Sequence, residues 1–321
     1  MGKFVALIFM ILAVASCGAR KNVTENPGSE QTPSQTVDIP AFNADSAYRN
    51  VERQVEFGPR VPNSESHEKT AQWLVSELTR YGAQVTTQRA VLTAFDGTRL
   101  SATNIMGSFN PEMANRLLLL AHYDTRPWAD EDADPANHSK PLDGANDGAS
   151  GVGVLLEIAR LIGERNPERG IDFLFVDAED YGESSNEESW ALGTRYFAQN
   201  PIRPGYKPSK AILLDMVGDR DAVFPAEYFS RQSAPELDDA IRRAAEVSGH
   251  GNRFPRVLGT AVTDDHVELI NAGIPAIDII DYRVGSGFAP SWHTMGDNME
   301  RIDRETLRAV GETLIHYIYT L

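Results

Sequence analysis

The sequence is short of thiols, of base and of long apolar runs, and each shortage removes a class of function. A single cysteine among 321 residues, Cys17, excludes a disulfide within the chain and leaves any metal site to oxygen and nitrogen donors. Lysine and arginine number 30 against 46 aspartate and glutamate, a net charge of −16. A polyanion is therefore repelled, and nucleic acid is not an expected partner. The apolar stretch Phe4 to Val14 is too short to span a bilayer as an ordinary helix. No internal repeat is visible, so one large α/β domain suits the length. No Ser, Cys and His arrangement suggests an enzyme nucleophile.

What is present begins with an export signal: Lys3, the apolar stretch, then the small residues Ala15 and Ser16. Val14-Ala15-Ser16-Cys17 resembles the bacterial lipobox, in which Cys17 becomes the lipidated first residue. Residues 18–40 are rich in Asn, Thr, Ser, Gln, Glu and Pro and lack an apolar period. The expected organisation is a lipoprotein signal over 1–17, a flexible tether over 18–40 and a catalytic domain over 41–321. The expected location is the bacterial cell envelope, facing the periplasm, with the membrane reached through the lipid anchor.

The domain is organised around Asp143 to Arg160, where a loop of Gly, Asn and Asp runs into an apolar helix and places Asp147 at the helix start. Apolar runs at Leu117 to Ala121, Ile171 to Val176 and Ala211 to Leu214 read as buried strands. They end in His122 and Asp124, in Asp177, Glu179 and Asp180, and in Asp215. In an open α/β sheet those ends share one edge, where ligands bind. Gln84 to Leu92 and Arg99 to Met106 read as a hairpin about Asp96-Gly97, and Ala276 to Ile280 as a further buried strand. Helices are expected at Asp45 to Glu56, Ser66 to Tyr81, Trp190 to Gln199, Pro235 to Ser248, Asp264 to Ala272 and Arg304 to Tyr319. The alternation after residue 115 implies a single α/β domain with a mixed, mostly parallel central sheet and helices on both faces.

His122, Asp147, Asp180, Asp215 and His293 form a donor set suited to a catalytic zinc with an open position. Each alone has a duller account as a strand-end, paired or surface residue. Glu179 and Asp180 are adjacent, so their side chains diverge: one can hold metal while the other transfers protons. Asp278, in mid-strand, would be buried and would need a partner such as Asp215 or Asp264, with one carboxyl holding a proton. Trp190, Phe288 and Trp292 lie next to these segments and are placed to wall a small pocket.

The motifs HYDTRP at His122, DGANDGASG at Asp143, FVDAEDYGE at Phe175, LLDMVGD at Leu213, DDH at Asp264 and WHTMGDN at Trp292 resemble the M28 metallopeptidase superfamily, and within it the bacterial glutaminyl-peptide cyclotransferases. The likeness runs from about Asp45 to Leu321 and implies a zinc-exopeptidase-like fold. It implies one zinc per chain on Asp147, Asp180 and His293, Glu179 as general acid and base, and Asp215 and Asp264 hydrogen-bonded around it. Trp190, Phe288, Trp292 and Asp278 would be the substrate-binding residues, and the substrates peptides or proteins with N-terminal glutamine. Animal-type members have Glu in place of Asp180 and His in place of Asp278. The related two-zinc aminopeptidases use His122 and Asp215 as well, and both are retained here. The alternatives are thus a two-zinc aminopeptidase and a non-catalytic binding lipoprotein on the same fold.

Overall fold

Apolar residues of both parities in the runs Leu117 to Ala121 and Ile171 to Val176 demand a sheet covered on both faces. A computed structural model of the chain, which describes residues 38–320, contains such a sheet. In chain order the elements are α1 (Ala44–Glu56), α2 (Glu65–Arg80), β1 (Gln84–Thr93), β2 (Arg99–Phe109), β3 (Arg116–His122), α3 (Ala149–Glu164), β4 (Gly170–Val176) and α4 (Leu192–Gln199). There follow β5 (Lys210–Asp215), α5 (Tyr228–Ser233), α6 (Pro235–Val247), α7 (Asp265–Asn271), β6 (Ala276–Ile280), the short β7 (Tyr282–Arg283) and β8 (Gly287–Phe288), and α8 (Arg304–Thr320). The main sheet has the order β1-β2-β4-β3-β5-β6. β1, β2 and β4 pair antiparallel, and β4, β3, β5 and β6 pair parallel. The mixed, mostly parallel sheet read from the sequence is the one observed.

Strand parity sorts the core into two layers. Leu117, Leu119 and Ala121 of β3, with Ile212 and Leu214 of β5, pack under α1, α3 and α8. Leu118, Leu120 and Leu213 face the opposite side, against Phe197 of α4 and Leu269 of α7. Leu118 to Leu120 are fully buried, and each such side chain stabilises the fold by about 1.5–3 kcal/mol. α3 crosses on one face and α4 on the other, so the strand order reverses after β4 and opens a crevice between the ends of β4 and β3. The carboxyl ends of β4, β3 and β5 border the resulting crevice.

Three details differ from the sequence reading. α3 begins at Ala149, and Gly148 rather than Asp147 occupies the cap position, with φ +96°. A Cβ there would lie 2.6 Å from the Asp124 carbonyl oxygen, so only glycine permits the approach. Asp147 is thereby free of capping duty. Second, Ile39 packs against the core and Arg165 donates to the Asp38 carbonyl at 2.9 Å, so residues 38 and 39, read as tether, contact the domain. Third, α5 and the β7/β8 hairpin are too short to carry a period and were not expected. The expected signal, the lipobox at Cys17 and most of the tether lie outside the described residues. Among the described residues no helix is long and apolar enough to cross a membrane.

Candidate metal centre and aromatic cavity

The five expected donors converge beyond the strand ends in two overlapping triads that share Asp147. His122, the last residue of β3, brings Nε2 within 3.1 Å of Asp147 Oδ1 and 3.2 Å of Asp215 Oδ1. His293 brings Nε2 within 3.3 Å of Asp180 Oδ1 and 3.7 Å of Asp147 Oδ2. Behind the rings, His122 Nδ1 faces Asp124 at 3.6 Å and His293 Nδ1 faces Asp130 at 3.7 Å. A carboxylate behind a histidine is what fixes the tautomer and orientation of a metal ligand.

Backbone hydrogen bonds from remote segments hold this geometry. Asp297 accepts from the N–H groups of Asn146 (2.7 Å) and Asp147 (3.1 Å), and Asp124 from those of Glu179 and Asp180, both at 3.2 Å. Arg60, fully buried, donates to the carbonyls of Tyr123, Asp143 and Gly144. Three non-glycine residues at the site sit in the left-handed region: Ala178 (φ 54°), Met216 (φ 49°) and His293 (φ 53°). Each costs on the order of 1–3 kcal/mol and persists only where surrounding packing dictates it. They let the chain turn sharply just before Glu179, just after Asp215 and at His293 itself.

The electrostatics call for a cation. Burial pushes Glu179 well above the usual carboxylate range; His122 works against the shift, and Asp264, Asp180 and Asp265 add to it. Burial and then Asp147 push Asp215 up to about 6, and burial and then Asp215 push Asp264 up to about 7. Burial alone would depress His122, but Asp124, Asp147 and Asp215 outweigh it and hold the ring well above its ordinary value. Asp180 Oδ2, His122 Nδ1 and His293 Nδ1 are buried without a hydrogen-bond partner. Acceptors thus outnumber donors in a water-poor cluster of carboxylates and imidazoles. That donor set fits zinc.

Beside the cluster lies a cavity of about 300 Å³ whose lining includes Glu179, Asp215, Asp264, Trp190, Phe288 and Trp292. The Trp292 ring stacks on His293 with centroids 3.7 Å apart, Phe288 stacks on Trp292 at 4.5 Å, and Trp190 lies parallel to His293 at 5.9 Å. Asp264 is the N-cap of α7, its carboxylate accepting the Asp265 N–H at 2.5 Å. No hydrogen bond joins Asp215 or Asp264 to the Glu179 side chain among the described residues. Asp278, expected among the substrate-binding residues, is not in the lining. It shares its face of β6 with Ala276, turned toward α7, with Oδ2 3.8 Å from His266 Nδ1 and both carboxylate oxygens unpartnered. Burial pushes its carboxyl well above the usual range, and Asp264 and Asp215 add to the shift. The sequence reading did not single out Asp297, Arg60, Arg126 or Tyr282, the last also in the cavity wall. The GDN that follows the WHTM stretch was the only mark on Asp297.

Comparison with known proteins identifies the family. The sequence pattern of peptidase family M28 matches residues 104–318. The crystal structure of Bacteroides thetaiotaomicron glutaminyl cyclase bound to N-acetylhistamine is 49% identical, covers 88% of this chain and 100% of its own, and superposes with a TM-score of 0.87. The Tannerella forsythia glutaminyl cyclase is 52% identical over 88% of this chain and 100% of its own, with a TM-score of 0.86. The glutaminyl-peptide cyclotransferase of Bos taurus is 26% identical over 67% of this chain; the match spans 64% of that protein's length. With the pattern spanning most of the described residues and the fold shared from end to end of both bacterial structures, the chain belongs to peptidase family M28.

Proposed function

We propose that the protein cyclises N-terminal glutamine of peptides and proteins to pyroglutamate, releasing ammonia. The observation that carries the proposal is Glu179, a buried carboxylate with a strongly raised affinity for protons, set in the wall of a small aromatic cavity beside the donors Asp147, Asp180 and His293. A space of about 300 Å³ accommodates one side chain and a chain terminus better than a peptide running through. The end-to-end likeness to two bacterial glutaminyl cyclases supports the same reading.

In this proposal Asp147, Asp180 and His293 hold one zinc per chain. Zinc bound there would supply a Lewis acid for the side-chain amide oxygen and a positive charge that draws the Glu179 carboxyl down toward a working range. Trp292 and Phe288 would hold the apolar stem of the glutamine between ring faces. The substrate's α-amine attacks its own side-chain amide carbon, a C–N bond forms, and Glu179 takes the proton released by that nitrogen. Glu179 then gives the proton to the departing amide nitrogen as the old C–N bond breaks and ammonia leaves. Amine and amide are already tethered, so proximity replaces an enzyme nucleophile. Asp215 and Asp264, raised to about 6 and about 7, would retain part of a proton near neutrality and spare Glu179 a second full charge.

A two-metal aminopeptidase is the second reading, and the His122, Asp147 and Asp215 triad favours it. Incubation with a glutamine-initiated peptide separates the two by mass. Loss of ammonia supports cyclisation, loss of the first residue supports the peptidase, and an unchanged peptide rejects both. Metal analysis after dialysis addresses the count: two zincs, both required, would reject the single-zinc proposal. We also propose that lipidation of Cys17 anchors the chain to the cell envelope, on the strength of the VASC sequence that follows the apolar leader.

A further inference from the structure

Arg126, 1% exposed, is the one arginine or lysine whose side chain bonds directly to a donor residue of the Asp147, Asp180 and His293 triad among the described residues. Its guanidinium grips Asp130 with two bonds, Nε to Oδ1 at 2.6 Å and Nη2 to Oδ2 at 2.5 Å. Nη1 reaches the Asp180 carbonyl at 3.2 Å, Asp180 Oδ1 at 3.4 Å and the Gly182 carbonyl at 3.2 Å. It lies over two indoles, with the guanidinium carbon 4.9 Å from the centre of the Trp190 ring and 5.2 Å from that of Trp128. Asp130 in turn faces His293 Nδ1, and Trp190 lies parallel to the His293 ring. Trp190 also packs flat on Gly182, where an added Cβ would fall 2.1 Å from the indole.

From these contacts we infer that Arg126 and Asp130 form a positioning pair, which sets the zinc donors Asp180 and His293 and the substrate wall Trp190 as one unit. A planar guanidinium can do this because its fork serves a carboxylate on one edge and carbonyls on another while its charge rests over two indole rings. Lysine keeps the charge but does not offer the fork. Asp130, with its side chain 30% exposed, supplies the counter-charge and orients His293 from behind. Disturbing either member therefore changes metal affinity and the Trp190 wall together, a coupling that a purely architectural ion pair would not show.

The inference rests on the zinc reading of Asp180 and His293 but not on the cyclisation. It is tested on the full chain carrying Asp130→Asn or Arg126→Lys, with zinc affinity measured by chelator competition in the absence of substrate. The melting temperature of the zinc-free protein, and kcat and KM on a glutamine-initiated peptide, are measured in parallel. The expected result in Asp130→Asn is a zinc Kd weaker by roughly ten- to a hundredfold and a raised KM, alongside a lower zinc-free melting temperature because the buried Arg126 loses its carboxylate partner. Arg126→Lys should raise KM further, because it loosens Trp190 directly. If Arg126→Lys does not fold, Asp130→Asn alone decides. A wild-type zinc Kd in Asp130→Asn overturns the inference, as does a lowered zinc-free melting temperature with zinc affinity intact. A wild-type protein that binds zinc without cyclising glutamine would reject the proposed function and leave this result standing.

Discussion

Glu179 and Asp180 are neighbours in sequence with opposite surroundings, and the division of labour follows from that. Asp180 meets His293 and Arg126, whereas Glu179 has no cationic partner among the described residues beyond the influence of His122. A carboxyl so placed is suited to carry protons rather than metal. Glu179→Gln is expected to keep zinc and fold while turnover falls by roughly a hundred- to ten-thousandfold; His293→Ala is expected to lose zinc. Metal analysis and single-turnover rates on both variants check this, and normal turnover by Glu179→Gln would move the proton transfer to another carboxylate, with Asp215 the first candidate. The five candidate donors can be grouped from the sequence because four stand at strand or helix ends and the fifth, His293, follows a strand and loop. Asp297, Arg60 and the double acceptance by Asp124 cannot be read from it, since their work is done on backbone groups of segments remote in sequence, which leave no local pattern.

Between elements, the hairpin, the four parallel strands and the longer helices could be read from periodicity, whereas the exclusion of Asp278 from the cavity could not. Asp278 shares its face of β6 with Ile280, which lines the cavity, and with Ala276, which packs toward α7, so alternation does not tell how far along that face the cavity reaches. One contact between elements has a pH signature. His67 of α2 shares a 2.8 Å hydrogen bond with Asp177, the residue after β4, whose other oxygen accepts from Tyr123 and from the Thr103 N–H. Burial alone would lower the imidazole, but Asp177 outweighs it and raises the ring above its ordinary 6.5. Because the folded value is the higher one, this contribution to stability is complete below about pH 6.5 and is lost as pH rises through the raised value. The melting temperature of the wild type should therefore fall across that interval more than that of His67→Gln. Parallel melting curves for the two proteins would reject the linkage.

On the scale of the whole molecule, the lipid anchor proposed at Cys17 concerns where the domain works more than what it does. Cys17→Ser is expected to abolish lipidation and to leave activity in extracts unchanged, because residues 18–36 carry no apolar period that would dock on the domain. Detergent phase partitioning reads the first effect, and membrane behaviour like that of the wild type would reject the lipid anchor. The shared position of Asp147 in both triads has a wider consequence. The zinc proposed on Asp147, Asp180 and His293 would join three separate segments, and the segment of Asp147 is tied to Asp297 across 150 residues. An ion held there would act as a staple across loops that the unfolded chain leaves open. Zinc should bind the native state alone and draw the equilibrium toward it, by about 2.7 kcal/mol at a hundred times its Kd. Chelation should then lower the melting temperature in proportion to the logarithm of free zinc, which calorimetry in metal buffers would reveal. The centre would thus serve as a checkpoint of completed folding: only a chain whose C-terminal third has docked can capture its metal.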